Sequence, residues 1–197
     1  KNIKKEIKMF KPQMKFQKIL SLSLLIFAAV CFVFSIGITT DLYGLYNASA
    51  VAVFDGIKIF KDIQTYNDNA VIFSIVLIGS CLLPFIFATN KRRLYYVDNY
   101  VTIGIQSGIF IGYGIYILIN SIHYKNRFLT EVDFAEYKAT AELFKFKYSE
   151  STFFFDAGIV LSILCFVMVL LIVGNLVWKI MIMNKEKQLL MSGEQND

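Results

Sequence analysis

The sequence predicts an all-α integral membrane protein with four transmembrane helices, both termini cytoplasmic, and amphipathic helices in the two extracytoplasmic loops. Three observations carry this. Of the 197 residues, 56% are hydrophobic and only 18% are charged, with a mean hydropathy of +0.56, an apolar excess beyond the soluble average. Four runs, 19–38, 70–89, 101–119 and 157–178, contain no Asp, Glu, Lys or Arg. Each is about 20 residues, enough to cross ~30 Å of hydrocarbon at a rise of 1.5 Å per residue. The basic residues then alternate: seven Lys in 1–18, three basic residues after the second run (Lys91, Arg92, Arg93) and three after the fourth (Lys179, Lys185, Lys187), against seven in the longer loops 39–69 and 123–156. The positive-inside rule therefore places both termini in the cytoplasm and the two longer loops outside.

Segment 1–18 reads as a basic amphipathic helix. Ile3, Ile7, Phe10 and Met14 line one side, and Lys4, Lys5, Lys8, Lys11 and Lys15 lie on the others. Beside a span, such a helix is expected in the cytoplasmic interface, where its lysines contact anionic lipid; Pro12 is expected to bend or break it. Docking to a cytoplasmic partner is the second use of such a helix. The first span is too long for a signal-peptide core and lacks a small-x-small cleavage pattern, so it is expected to be retained. In loop 39–69, Ala50, Val53, Phe54, Ile57 and Phe60 share one helical face, which suggests a short amphipathic helix. The second span contains Pro84, which deprives the Ser80 carbonyl of its helical donor and predicts a kink there.

The third span is the most informative. Gly104, Gly108 and Gly112 recur every four residues, so they share a face and allow close approach of another helix. Packing within the chain is the first expectation for this row; a second copy and a different protein are the others. Gln106, Tyr113 and Asn120 are seven apart and fall nearly opposite the glycines as a polar stripe. Such a stripe should face protein or water and not lipid. Hydrogen bonds to Ser74, Ser80 or Asn175 on other spans would satisfy it, and so would a pore. In loop 123–156, Leu129, Val132, Ala135, Ala139, Leu143 and Phe146 repeat at helical spacing, with Thr130 and Asp133 resembling a capping box. The fourth span opens with Asp156 at its amino-terminal end, and residues 179–197 form the cytoplasmic tail. The chain is thus organised as a basic segment 1–18, one four-span domain 19–178 and a tail.

Chemistry is scarce. Cys31, Cys81 and Cys165 each lie inside an apolar run, which suits small buried hydrophobes and no disulfide framework. One His in the chain is too few for a multi-histidine metal site or haem chemistry, and no nucleophile, P-loop or zinc motif is present. Neither a cofactor nor a metal site is expected, and the basic residues follow topology instead of forming a nucleic-acid groove. His123, beside Tyr124 and Lys125, is expected to be an interfacial polar residue. The absence of charge within the spans also disfavours an ion-coupled transporter. The sequence therefore points to a non-enzymatic accessory or structural subunit of a membrane complex in the cell membrane, assembling with other subunits or itself. The alternative is a homo-oligomeric channel lined by Gln106, Tyr113, Asn120 and Asn175.

Overall fold

The computed structural model describes residues 2–40, 58–89, 97–145 and 148–194. Every regular element among them is an α-helix: α1 (Asn2–Thr40), α2 (Ile59–Asp62), α3 (Gln64–Thr89), α4 (Val97–Glu131), α5 (Phe134–Phe144) and α6 (Phe153–Glu194). Four helices are long and apolar enough to cross a membrane, which makes this a membrane-embedded protein. The expected helix over Ala50, Val53, Phe54 and Ile57 lies outside the described residues, as do Lys91, Arg92 and Arg93. The bend expected at Ser80 and Pro84 falls where α3 remains helical, but the Pro84 side chain is outside the description, as are those of Lys4, Lys5 and Lys8.

The four long helices overrun their apolar runs. Helix α4 continues twelve residues beyond Ile119, to Glu131, because that stretch supplies its own helical stabiliser: Arg127 pairs with Glu131 one turn on. Pro12 does not end α1, which is helical on both sides of it. Helix α5 starts later than the periodicity suggested. Asp133 is its N-cap, accepting from the backbone N–H groups of Ala135 and Glu136, whereas Thr130 belongs to α4. Helix α5 ends at Lys145, whose φ of 56° closes the last turn with an N–H bond to the Ala141 carbonyl.

The long helices form a ring, α1 beside α3, α3 beside α4, α4 beside α6, and α6 back on α1. Cross-contacts fix the directions. Gln13 meets Asn175 and Phe34 meets Phe154, so α1 and α6 are antiparallel. Tyr66 meets Ser121 and Gln106 meets Cys81, so α3 and α4 are too. Lys125 reaches Asp156 while Gly114 abuts Cys165, which makes α4 and α6 antiparallel. The result is an up-down-up-down bundle. The beginnings of α1 and α4 and the ends of α3 and α6 share one end; α2, α5 and the remaining termini of the long helices share the other.

The two ends are built differently. At the α2/α5 end, aromatic rings fill the core: Phe60 lies 5.0 Å from Tyr137, and Phe128 packs at 5.4 Å on Phe134 and 5.8 Å on Phe155. Each buried aromatic contributes a large apolar area in a fixed geometry, which suits a small region that must hold two short helices. The Tyr148 ring lies 5.0 Å from Tyr137, and its hydroxyl donates to Glu150, whose carboxylate holds the phenol up at about 12. The buried face of α5 is Tyr137, Thr140 and Ala141. Ala135, Ala139 and Leu143, expected on the inward side, are exposed. Aromatic packing thus overrides the aliphatic periodicity.

Candidate interaction faces of the bundle

Helix α4 divides its residues between two faces. On the outward face, Gly104, Gly108 and Gly112 are exposed, and a Cβ added at any of them would meet nothing within 4 Å. Exposed Ile105, Ile111, Ile115 and Ile119 flank this row. Packing within the chain, the first expectation for these glycines, is therefore not their use. The row spans about 12 Å at 1.5 Å per residue and lies on the surface of the bundle.

The inward face carries the polar stripe. Gln106 is 2% exposed and Tyr113 3%, while Asn120 is half-buried and donates to the Tyr116 carbonyl of its own helix. The Gln106 amide donates toward Cys81 Sγ at 3.9 Å, and the Cys81 thiol donates to the Leu24 carbonyl at 3.6 Å, so one weak polar relay joins α4, α3 and α1. The Tyr113 hydroxyl is buried among Cys31, Ser35 and Cys165. The expected serine partners are not used: Ser74 and Ser80 donate to the Val71 and Leu77 carbonyls on their own helix. Asn175 does pair between helices, but with α1, accepting from Gln13 Nε2 at 3.0 Å. All three cysteines are free and buried.

Gly114 and Gly158 carry the closest packing that spacing did not single out. A Cβ on Gly114 would lie 3.1 Å from Cys165 Cβ and 3.4 Å from the Ser162 carbonyl oxygen, and one on Gly158 would collide with Ser121 Oγ. These residues let α4 and α6 approach closely. The available signal was the seven-residue spacing of Gly114 and Ser121 opposite the four-residue spacing of Gly158 and Ser162. Gln13 was also missed, because its neighbours made segment 1–18 look like a lysine-rich surface helix.

At the α2/α5 end, charged residues staple the helices. Arg127 bonds Asp62 Oδ2 at 2.9 Å and Glu131 Oε2 at 2.8 Å, its guanidinium lies 5.9 Å from the Tyr124 ring centroid, and Tyr124 donates to the Asp62 carbonyl. Lys125 reaches Asp156 at 2.6 Å, and Thr152 donates to the other oxygen of that carboxylate. His123 is exposed and stacks edge-on against Tyr124 at 5.1 Å. These groups pair with one another across helices. Among the described residues there is no group of three or more His, Cys, Asp or Glu side chains able to hold a metal ion.

At the opposite end, Lys11 and Lys15 are exposed on α1, beside the Gln13–Asn175 bond and the Phe16–Trp178 contact at 5.7 Å. Comparisons with protein-family models, with curated proteins and with solved structures find no match to this chain.

Proposed function

We propose that this chain is a non-enzymatic subunit of a larger membrane assembly, joined to its neighbours through the outward face of α4. One observation carries the proposal: Gly104, Gly108 and Gly112 lie on the bundle surface with open space over each, although their spacing suits helix-helix contact. Lipid chains gain little from such a row, whereas a neighbouring helix can bring its backbone close and gain dispersion contacts. The channel alternative loses support from the burial of Gln106 and Tyr113 within a single chain, since a pore between copies would have to be lined by outward-facing groups. Lys11 and Lys15, exposed on α1, would meet anionic headgroups of the cytoplasmic leaflet in this reading.

The test is the mass of the intact particle extracted in mild detergent, with every chain in it identified. The expected result is a particle heavier than one chain, reduced to the single chain by Gly108→Leu while insertion and helicity are retained. A wild-type particle of one chain, or a complex indifferent to Gly108→Leu, overturns the proposal.

A further inference from the structure

Side chains of three helices meet inside the bundle, within the apolar runs. Phe27 of α1 stacks on Phe110 of α4 with ring centroids 6.3 Å apart, and the two helices run parallel, since each is antiparallel to α6. One turn farther along both, Cys31 stands level with Gly114 and its neighbour Tyr113. Gly114 abuts Cys165 of α6, whose Cβ lies 3.1 Å from the place a Cβ on the glycine would take. The three groups converge there: the Cys165 thiol is within hydrogen-bonding reach of the Cys31 thiol, and the Tyr113 hydroxyl lies beside both. Both cysteines are 0% exposed and free.

Hydrogen bonding around this pair is incomplete. The Ser35 hydroxyl donates to the Cys31 carbonyl and the Ser162 hydroxyl to the Gly158 carbonyl, so both protons are spent on their own helices. The Tyr113 hydroxyl is buried and has no hydrogen-bond partner. It holds a proton to donate and lacks an acceptor, an arrangement that is uncommon in a folded interior. A thiol sulfur accepts weakly, whereas a thiolate accepts as a charged group and more strongly. A thiolate in an apolar interior needs a positive charge beside it. The four apolar runs contain no Lys, Arg or His, so that charge has to be brought in.

The donor set selects the ion. Sulfur ligands suit soft metals such as Cu(I), while oxygen ligands suit Mg and Ca. Structural zinc takes four protein ligands, and among the described residues no three His, Cys, Asp or Glu side chains come together to hold a metal. A soft monovalent ion is satisfied by two sulfurs. We propose that Cys31 and Cys165 form a two-sulfur site for a soft monovalent metal ion of the Cu(I) class, held between α1 and α6, with Tyr113 donating to the thiolate. Binding forms two metal–sulfur bonds, one to a thiolate and one to a neutral thiol, and releases one proton to water. The oxidation state does not change, and the occupied pair is neutral overall, as an apolar core requires. Cys81 is engaged elsewhere, donating to the Leu24 carbonyl and meeting the Gln106 amide. The site goes beyond the assembly proposed above and does not depend on it.

The full chain, purified anaerobically in mild detergent, is titrated with Ag(I), a redox-inert probe of this ion class. Excess free methionine keeps the ion off the six methionine thioethers of the chain. Bound silver is counted by elemental mass spectrometry after gel filtration. The expected result is one Ag(I) per chain, one proton released per ion and a raised Tm. Cys31→Ala and Cys165→Ala should each weaken binding at least about tenfold, and Cys81→Ala should leave it unchanged. Cys31→Ser and Cys165→Ser, with helicity checked by circular dichroism, keep the test valid if the alanine variants unfold. Failure of the folded wild type to retain Ag(I), retention that survives loss of either Cys31 or Cys165, or loss of retention in Cys81→Ala overturns the inference. Tyr113→Phe should weaken binding severalfold with the same proton count; unchanged binding overturns the role given to its hydroxyl.

Discussion

Helix α4 holds glycines in two settings that sequence spacing does not separate. Gly114 sits where α4 and α6 nearly touch, with Cys165 Cβ 3.1 Å from the position a Cβ would take, while Gly104, Gly108 and Gly112 sit over open space. The regular four-residue row looked like the packing face, yet the isolated Gly114, facing Cys165 and Ser162 of α6, belongs to the internal interface. A glycine required inside the bundle can be recognised only together with what faces it. A glycine facing outward can be repeated freely, because nothing within the chain constrains it.

The sharpest way to break this comparison is to fill both settings. Gly158→Ala places a methyl group onto Ser121 Oγ, and overpacking of this kind costs about 1–3 kcal/mol. Thermal unfolding in detergent should show a clear drop in Tm, and Ser121→Ala in the same chain should restore part of it. Gly108→Leu should leave the Tm of the isolated chain unchanged or slightly raised, within about 0.5 kcal/mol, while removing association. If Gly108→Leu lowers the Tm as much as Gly158→Ala, the outward row is not free and the distinction fails.

What could be foreseen follows the same division between one-body and two-body properties. Four spans, three buried free cysteines and a polar stripe opposite the glycine row depend on each segment's own composition and period, and the structure has them. The buried side of α5 depends on its partners: Tyr137 turns inward because Phe60 and Tyr148 are there to receive its ring, leaving Leu143 exposed. The partner of Asn175 was equally hidden. Gln13 looked like a surface residue between lysines, and only the overrun of α1 and α6 beyond their apolar runs brings the two amides together. Helix ends misled for a related reason, since loss of hydrophobicity ends a span but does not end a helix when side chains such as Arg127 and Glu131 support the next turn.

The inward polar contacts rank below the glycine packing. Gln13→Leu or Asn175→Leu removes one interhelical hydrogen bond, and such bonds in membrane proteins average ~0.6 kcal/mol with a maximum near ~1.7. A double-mutant cycle on the two positions should return a coupling in that range, measured as unfolding in mixed detergent. A coupling near zero would mean that the clasp between α1 and α6 is carried by the Phe16–Trp178 contact and the apolar packing around it, and Phe16→Ala would then give the larger shift.

The smallest effect belongs to the flank of α4 that faces α2. Arg127 bonds Asp62 at 2.9 Å, but its side chain is 25% exposed and that of Asp62 51%, so water competes for both groups. Arg127→Ala or Asp62→Ala should each cost only ~0.2–1 kcal/mol through this pair, and the coupling should shrink as salt shortens the screening length from ~10 Å at 0.1 M to ~3 Å at 1 M. Arg127→Lys is the informative variant. It keeps the charge but loses the planar fork that serves Asp62 and Glu131 together and the stacking surface over Tyr124. If Arg127→Lys is as stable as wild type, charge alone holds α2 to the bundle. If it behaves like Arg127→Ala and the loss persists in high salt, the geometry of the guanidinium holds α2 in place, and this flank of α4 resembles the closely packed Gly114 contact more than the open glycine row.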